Sequence, residues 1–350
     1  MILMDILNKD SLKIIIFRTD RLGDLILSLP VIENLHQAYP KAQIDLFVNP
    51  YTVSLAKLQK NIRYAWPDIY PGFLGLKPLV SWLRSRQYDI ALYLYPRPRL
   101  ALAGFLAAIP VRIGTKYRYY SLLFNRRIPL HRSRSNRHER DLNLQLLQQG
   151  LSIPEQQTDT GLRIPEQTHQ AVDSLLLKKG IAAEDPYIVI HPGSGGSSLT
   201  WPHESFRLLA QMLAGKGSTI LLTGTDQDRE IIEKIKFPSH QETLIDMSGQ
   251  LDLTLLAALL NRATLVISNS TGPLHLADAL GTPVIGLYSP LAGALPHRWG
   301  PYHQPQNALL PSIPVCDRCK GEKCNDFNCM RLISVDDVYQ KVLEIEGLGT

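Results

Sequence analysis

The chain has 350 residues, 45% of them hydrophobic and 20% charged, with a formal net charge of +5. One hydrophobic core seldom grows past roughly 250–300 residues, so the length points to two domains, and the balanced composition excludes a disordered or fibrous chain. The longest strongly apolar run, Leu100–Pro110, is far shorter than the roughly 20 residues a membrane-spanning helix needs.

The start has Asp5, Lys9 and Asp10 around its first apolar run and no basic n-region. It reads as no secretion signal, and a cytoplasmic location is expected. From there, strand-like apolar runs alternate with amphipathic stretches, the pattern of parallel sheets with crossover helices. In the first half the pattern predicts strands at Ile14–Phe17, Ile44–Val48, Asp89–Tyr95 and Val111–Gly114. It predicts helices over Asp24–Gln37, Leu76–Arg86, Leu100–Ala108 and Arg137–Gln149.

The proline-punctuated stretch Ile153–Glu166 reads as the linker, giving domains 1–165 and 166–350. In the second half, strands are expected at Tyr187–His191, Thr219–Gly224, Leu244–Met247, Leu265–Asn269 and Pro283–Tyr288. Helices are expected over Pro202–Gly215, Asp228–Ile235, Thr254–Arg262, Gly272–Leu280 and Val335–Glu346. The expected fold class is α/β: two doubly wound, Rossmann-like domains facing across a cleft.

The charge is concentrated. Val111–Arg140 holds nine Lys/Arg and one acid, a segment of +8 that leaves the rest of the chain at −3. One basic surface on a near-neutral body points to an anionic partner docking at one place.

Three passages stand where ligands of open α/β sheets bind, after the carboxyl ends of strands. The first is Arg18-Thr19-Asp20-Arg21-Leu22-Gly23-Asp24, in which Gly23 allows a tight turn and Asp24 is either a helix cap or a base facing the cleft. The second is His191-Pro192-Gly193-Ser194-Gly195-Gly196-Ser197-Ser198. Its amides can cradle a phosphate or simply form a glycine turn. The third is Ser268-Asn269-Ser270-Thr271-Gly272-Pro273-Leu274-His275, a helix start whose amides and dipole suit a diphosphate. Asp226-Gln227-Asp228 spells DxD, but at a helix start Asp is the ordinary capping residue.

Together these passages resemble glycosyltransferase family 9, the lipopolysaccharide heptosyltransferases that use ADP-heptose. The match also runs through Leu29-Pro30, Arg112-Ile113-Gly114, Arg137-His138-Glu139, Trp201-Pro202, Leu222-Thr223-Gly224, Asp246-Met247-Ser248-Gly249 and Leu280-Gly281-Thr282-Pro283. It spans about Ile14 to Val338.

The resemblance implies a GT-B fold, an N-terminal acceptor domain and a C-terminal nucleotide-sugar domain. It makes Asp24 the general base of an inverting transfer. The donor would lie against Gly193, Ser194, Ser270, Thr271 and Gly272, with His275 at the phosphates or sugar, Leu251 at the adenine and Asp228 at the ribose or sugar.

Arg18, Arg112, Lys116, Arg118 and Arg137 are the expected contacts to an anionic, lipid-linked acceptor, the lipopolysaccharide inner core. Peripheral docking on the cytoplasmic face of the inner membrane would follow. No cofactor and no catalytic metal are implied.

Two departures put the donor's identity in question. Ser270 stands where relatives often carry Asp, and Leu199-Thr200 where many carry a Lys before Trp-Pro. A related sugar or another nucleotide-sugar donor is therefore an alternative.

Cys316, Cys319, Cys324 and Cys329 have the density of a structural zinc or iron–sulfur site without the paired spacing of zinc ribbons. Free thiols fit equally, and a cytoplasmic location disfavours disulfides. Two readings from other classes remain. A nucleotide-cofactor oxidoreductase lacks its GxGxxG, and a nucleic-acid binder would use the basic stretch with Tyr117, Tyr119 and Tyr120. No nucleic-acid partner is expected.

Overall fold

A computed structural model describes residues 6–345 apart from 8, 71, 133–134, 155, 157, 238–241 and 327. The chain divides into two compact units, Met1–Arg163 and Ile164–Thr350.

Unit 1 contains, in order, β1 Lys13–Arg18, α1 Leu22–Ile26, α2 Pro30–Ala38, β2 Gln43–Val48, β3 Tyr64–Pro67 and α3 Leu76–Arg86. It continues with β4 Ile90–Tyr93, α4 Pro98–Leu106, β5 Val111–Thr115, β6 Arg126–Ile128 and α5 Glu139–Leu151. All strand pairings are parallel and the sheet order is β3-β2-β1-β4-β5-β6. In register, Phe17 lies between Phe47 and Tyr93.

Strand β1 is covered on both faces, as crossover helices require, so Ile14–Phe17 is a continuous apolar run rather than an alternating one. Ile14 and Ile16 pack with Leu25, Ile32, Leu142 and Leu146 on one face. Ile15 and Phe17 pack with Leu79, Leu83, Leu100 and Ala103 on the other.

Unit 2 repeats the plan. It has α6 Glu166–Leu177, β7 Tyr187–His191, α7 His203–Ala214, β8 Thr219–Leu222, α8 Arg229–Ile235, β9 Leu244–Asp246 and α9 Leu253–Arg262. Then come β10 Leu265–Asn269, α10 Gly272–Ala279, β11 Val284–Leu287, β12 Ala308–Leu309 and α11 Val335–Ile345. The sheet is again parallel, in the order β12-β11-β10-β7-β8-β9. Its core carries Ile188, Phe206, Leu209, Ile220 and Ile267, closed by Val338 and Val342 of α11.

Three expectations change. The single helix over Asp24–Gln37 is two, because Pro30 supplies no N–H and starts α2 as its first residue. Strands β3, β6 and β12 were not expected, and each is a short sheet edge, where a continuous apolar run is not required. Helix α6 was also missed: it buries only Val172 and Leu176, against α9.

Gly114 of β5, part of the Arg-Ile-Gly passage, shows how tightly unit 1 is packed. A Cβ built there would stand 2.4 Å from the Phe124 ring, which is itself buried. Gly114→Ala is therefore expected to destabilise unit 1 by about 1–3 kcal/mol through overpacking, read as an earlier urea unfolding transition. An unchanged transition contradicts the packing account.

Candidate active site

In both sheets the chain reverses its direction of winding once: between β1 and β4 in unit 1, and between β7 and β10 in unit 2. The loops leaving such a strand pair run in opposite directions and open a crevice at the carboxyl ends. The same divergence leaves strand-end carbonyls without a ladder partner, and when buried they must be satisfied by a side chain.

In unit 1 that side chain is Arg18, the last residue of β1, only 2% exposed. Its Nη1 donates to the carbonyl of Leu94, just beyond β4, at 3.1 Å. Its Nε donates to the Asp24 carbonyl at 3.1 Å and its Nη2 to Asp24 Oδ1 at 2.9 Å. Nε also lies 3.1 Å from Asp20 Oδ1, and Nη2 lies 3.7 Å from Glu139 Oε1.

Arg132 forms a second layer. It pairs with Glu139 and donates to Leu94 O at 3.3 Å and Asn143 Oδ1 at 2.9 Å. Asn143 in turn donates to the Leu27 carbonyl at 3.0 Å, and the Ser28 hydroxyl donates to the Asp24 carbonyl at 2.7 Å. Asp24 thus sits in the first turn of α1, partly exposed, with one oxygen held by Arg18.

Burial, joined by the charges of Asp24 and Glu139, pushes the Asp20 carboxyl up to about 7 against the pull of Arg18. Three carboxylates offset the burial penalty on Arg18 and raise its pKa.

Arg18 is therefore turned inward, away from the expected acceptor contact. Arg112 is tied down as well, its guanidinium donating to the carbonyls of Leu123 (2.8 Å) and Ile109 and lying over the Phe105 ring. Lys116, Arg118 and Arg137 are exposed, and Arg137 donates to Gln145 at 3.2 Å. Asn143, Ser28 and Arg132 are supports that no motif announced.

In unit 2 the corresponding brace is Asn269, the fully buried last residue of β10. Its Nδ2 donates to the Pro192 carbonyl at 2.8 Å, and its Oδ1 accepts from the Trp201 amide at 2.8 Å. Ser268 Oγ donates to the His191 carbonyl at 3.1 Å and lies 3.0 Å from Thr271 Oγ1. One strand end thereby positions both the glycine loop and the start of α10.

Burial depresses the His191 pKa to about 4, and its Nδ1 meets Thr223 Oγ1 at 3.0 Å. It is a neutral structural group at physiological pH.

Gly193 and Asp228 come together: a Cβ on Gly193 would stand 2.4 Å from Asp228 Oδ1, so only glycine lets the carboxylate approach this loop. The other oxygen of Asp228 accepts from the Thr225 amide and hydroxyl, each at 2.8 Å. Asp226 pairs with Arg229. The DxD is thus a helix cap with both carboxylates engaged.

Ser194 anchors the next turn through its carbonyl, which accepts from Ser197 N at 2.9 Å. The Ser270 N–H, expected at a diphosphate, instead donates to the Leu287 carbonyl at 3.1 Å. That leaves the Thr271 and Gly272 amides to open α10, with His275 buried one turn in. Leu251 is half-buried before the Asp252 cap of α9, in a loop joined to the β8 end by Gly249 N donating to Gly224 O at 3.0 Å.

The two strand ends are braced in the same way, each beside its own polar cluster. The model of glycosyltransferase family 9 (heptosyltransferase) matches residues 78–328. The chain belongs to glycosyltransferase family 9.

Among relatives, lipooligosaccharide heptosyltransferase 2 of Haemophilus ducreyi is 29% identical over 301 residues, 80% of this chain and 84% of that protein. A family 9 glycosyltransferase from Veillonella parvula superposes with a TM-score of 0.81 at 22% identity, covering 95% and 96% of the two chains. E. coli ADP-heptose lipopolysaccharide heptosyltransferase II gives 0.78 at 22% identity, with 95% and 98% covered. The shared fold is GT-B, and this member is a glycosyltransferase with a parallel six-stranded sheet in each unit.

No disulfide joins the four cysteines. Cys316 tethers its loop to the segment after β11, with its N–H donating to Pro290 O and its carbonyl accepting from Ala292 N, each 2.8 Å. Burial and the other three sulfurs raise the Cys329 pKa. Among the described residues no three His, Cys, Asp or Glu come together to hold a metal ion, so the zinc or iron–sulfur reading gains no support. No helix among them is long and apolar enough to cross a membrane.

The Asp20 carboxyl, raised from its ordinary value near 3.9 to about 7, leaves the native state holding more protons than the unfolded one between those limits. Its contribution to stability is complete below the lower limit and is lost as pH rises through about 7. In Asp20→Asn, the melting temperature relative to wild type should climb steadily between these limits. A pH-independent difference contradicts the assignment.

Proposed function

We propose that this enzyme transfers heptose from ADP-heptose to the inner core of lipopolysaccharide, with inversion at the anomeric carbon and Asp24 as general base. The observation that carries the reading is the partly exposed Asp24 carboxylate held by buried Arg18 at the unit 1 crevice. Family membership supports the reaction type, and the names of the relatives support the sugar and acceptor class.

In the step itself, Asp24 takes the proton of an acceptor hydroxyl as its oxygen bonds to the anomeric carbon. The bond from that carbon to the diphosphate oxygen breaks, and ADP leaves with the electron pair. A nearby carboxylate also steadies the positive charge developing on the sugar.

On the donor side, the Thr271 and Gly272 amides and the α10 dipole meet the diphosphate charge. Gly193 and Ser194 line the opposite side of that crevice. His275 reaches the phosphates or sugar, Asp228 the ribose or sugar, and Leu251 the adenine. Ser270 enters with its side chain alone, since its amide is committed to Leu287.

Helix-terminus stabilisation of the leaving group needs no divalent ion, and the engaged Asp226 and Asp228 suit that reading. The exposed Lys116, Arg118 and Arg137 bind the phosphates and carboxylates of the acceptor. Docking is peripheral, on the cytoplasmic face of the inner membrane.

Ser270 and Leu199-Thr200 favour a second reading of the donor alone, a related sugar or nucleotide. A thermal-shift panel of ADP-, UDP- and GDP-sugars separates the two, because the true donor alone should stabilise the enzyme strongly.

Asp24→Asn is expected to lower transfer by about 10²–10⁴-fold while ADP affinity stays within the same order of magnitude. A variant of near wild-type activity removes Asp24 as the base. Transfer should also survive EDTA unchanged; loss restored by Mg²⁺ would contradict helix-terminus stabilisation.

A further inference from the structure

Helix α4 serves the core only in part. Its first turns do: Leu100, Ala101 and Ala103 are buried against the sheet. Its last turn does not, for Phe105 and Leu106 are exposed. Beside α4 runs the 3₁₀ turn Tyr119–Leu123, tied to the segment ahead of the helix by the Tyr120 hydroxyl donating to Pro96 O at 2.6 Å. Tyr119 and Leu122 project from it, 83% and 79% exposed. Arg112 joins the two elements, lying 5.4 Å over the Phe105 ring while its Nε donates to Leu123 O.

The stretch of chain that carries these apolar tips has charges of one sign. Between Ile90 and His138 the chain has ten Lys/Arg and no Asp or Glu. Of these, Arg97, Lys116, Arg118 and Arg127 are exposed. Exposed large apolar side chains on a stretch of chain rich in exposed cations match an interface of acyl chains beneath anionic headgroups.

A second copy of the chain is a poor occupant. A self-complementary contact would press cations against the same cations. Single-stranded nucleic acid could stack on Tyr119, but it offers the aliphatic tips of Leu106 and Leu122 nothing equivalent.

We infer that the exposed end of α4 and the Tyr119–Leu123 turn form a membrane-docking face. Phe105, Leu106, Tyr119 and Leu122 enter the headgroup boundary of an anionic leaflet, and Arg97 and Arg127 hold the headgroups. The inference rests on the proposed lipid-linked acceptor and gives the docking face its residues. It also separates two tasks, because the apolar tips anchor the enzyme without binding the glycan.

The test is co-sedimentation of the full chain with vesicles of phosphatidylcholine alone or mixed with phosphatidylglycerol. It is run for wild type and for the Tyr119→Ser/Leu122→Ser double variant, with transfer to a deacylated, water-soluble acceptor assayed in parallel. Wild type should bind the mixed vesicles and not phosphatidylcholine alone. The double variant should bind about tenfold or more weakly, with an unchanged melting temperature and undiminished transfer to the soluble acceptor.

Equal vesicle binding by the variant, equal binding to both vesicle types, or no binding by wild type overturns the docking face. So does displacement of the vesicles by a short RNA. Vesicle binding without any heptose transfer would sink the proposed function and leave this inference standing. Transfer to the soluble acceptor without vesicle binding would do the reverse.

Discussion

Each parallel sheet here has to satisfy the backbone where its winding reverses. At that point adjacent loops diverge, and buried strand-end carbonyls lose their ladder partners. The chain solves this twice with a buried polar side chain at the end of one strand reaching the backbone beyond the other: Arg18 to Leu94 in unit 1, Asn269 to Pro192 in unit 2. The polar clusters depend on these braces. Arg18 holds Asp24 while bridging β1 to β4, and Asn269 fixes the glycine loop and Trp201 while α10 begins three residues later. Structural satisfaction and site geometry are here the same set of hydrogen bonds.

The choice of brace differs for a physical reason. Arg18 has five donors in a rigid fork, enough to serve two carbonyls and two carboxylates at once. It is stable in a buried place because Asp20, Asp24 and Glu139 surround it and Arg132 offsets the excess negative charge. Removing one partner from such a cluster leaves an uncompensated buried charge, which is strongly destabilising. Asn269, with one donor group and one acceptor, suits a site whose incoming ligand is expected to be the anion.

Much of this was legible in the chain, and unevenly so. Central strands such as Ile14–Phe17 and Leu265–Asn269 stood out because sheets covered on both faces need unbroken apolar runs. The edge strands β3, β6 and β12 carry no such demand and were invisible, as was α6, which buries only two side chains. Positions of the Asp24, Gly193 and Thr271 clusters followed from strand ends and turn residues. Roles did not follow as easily. Nothing in the letters tells whether Arg18 faces an acceptor or a carbonyl across the sheet, or whether the Ser270 amide is free or paired with Leu287. Those are outcomes of register and burial. The basic stretch divides in the same way: Arg112, Arg132 and Arg140 turn to backbone or carboxylates, while Lys116, Arg118, Arg127 and Arg137 face solvent.

In the proposed mechanism Arg18, bonded to Asp24 and Leu94, is a positioning residue for Asp24 and not an acceptor contact. Steady-state kinetics of Arg18→Lys test it most directly, because lysine keeps the charge but lacks the fork that holds Leu94, Asp20 and Asp24 together. The account predicts kcat lower by about 10²-fold and a lowered melting temperature, because buried carbonyls lose a donor, with acceptor KM and ADP affinity of the folded variant near wild type. A raised acceptor KM at unchanged kcat would show that Arg18 contacts the acceptor in ground and transition state alike, and would contradict the account.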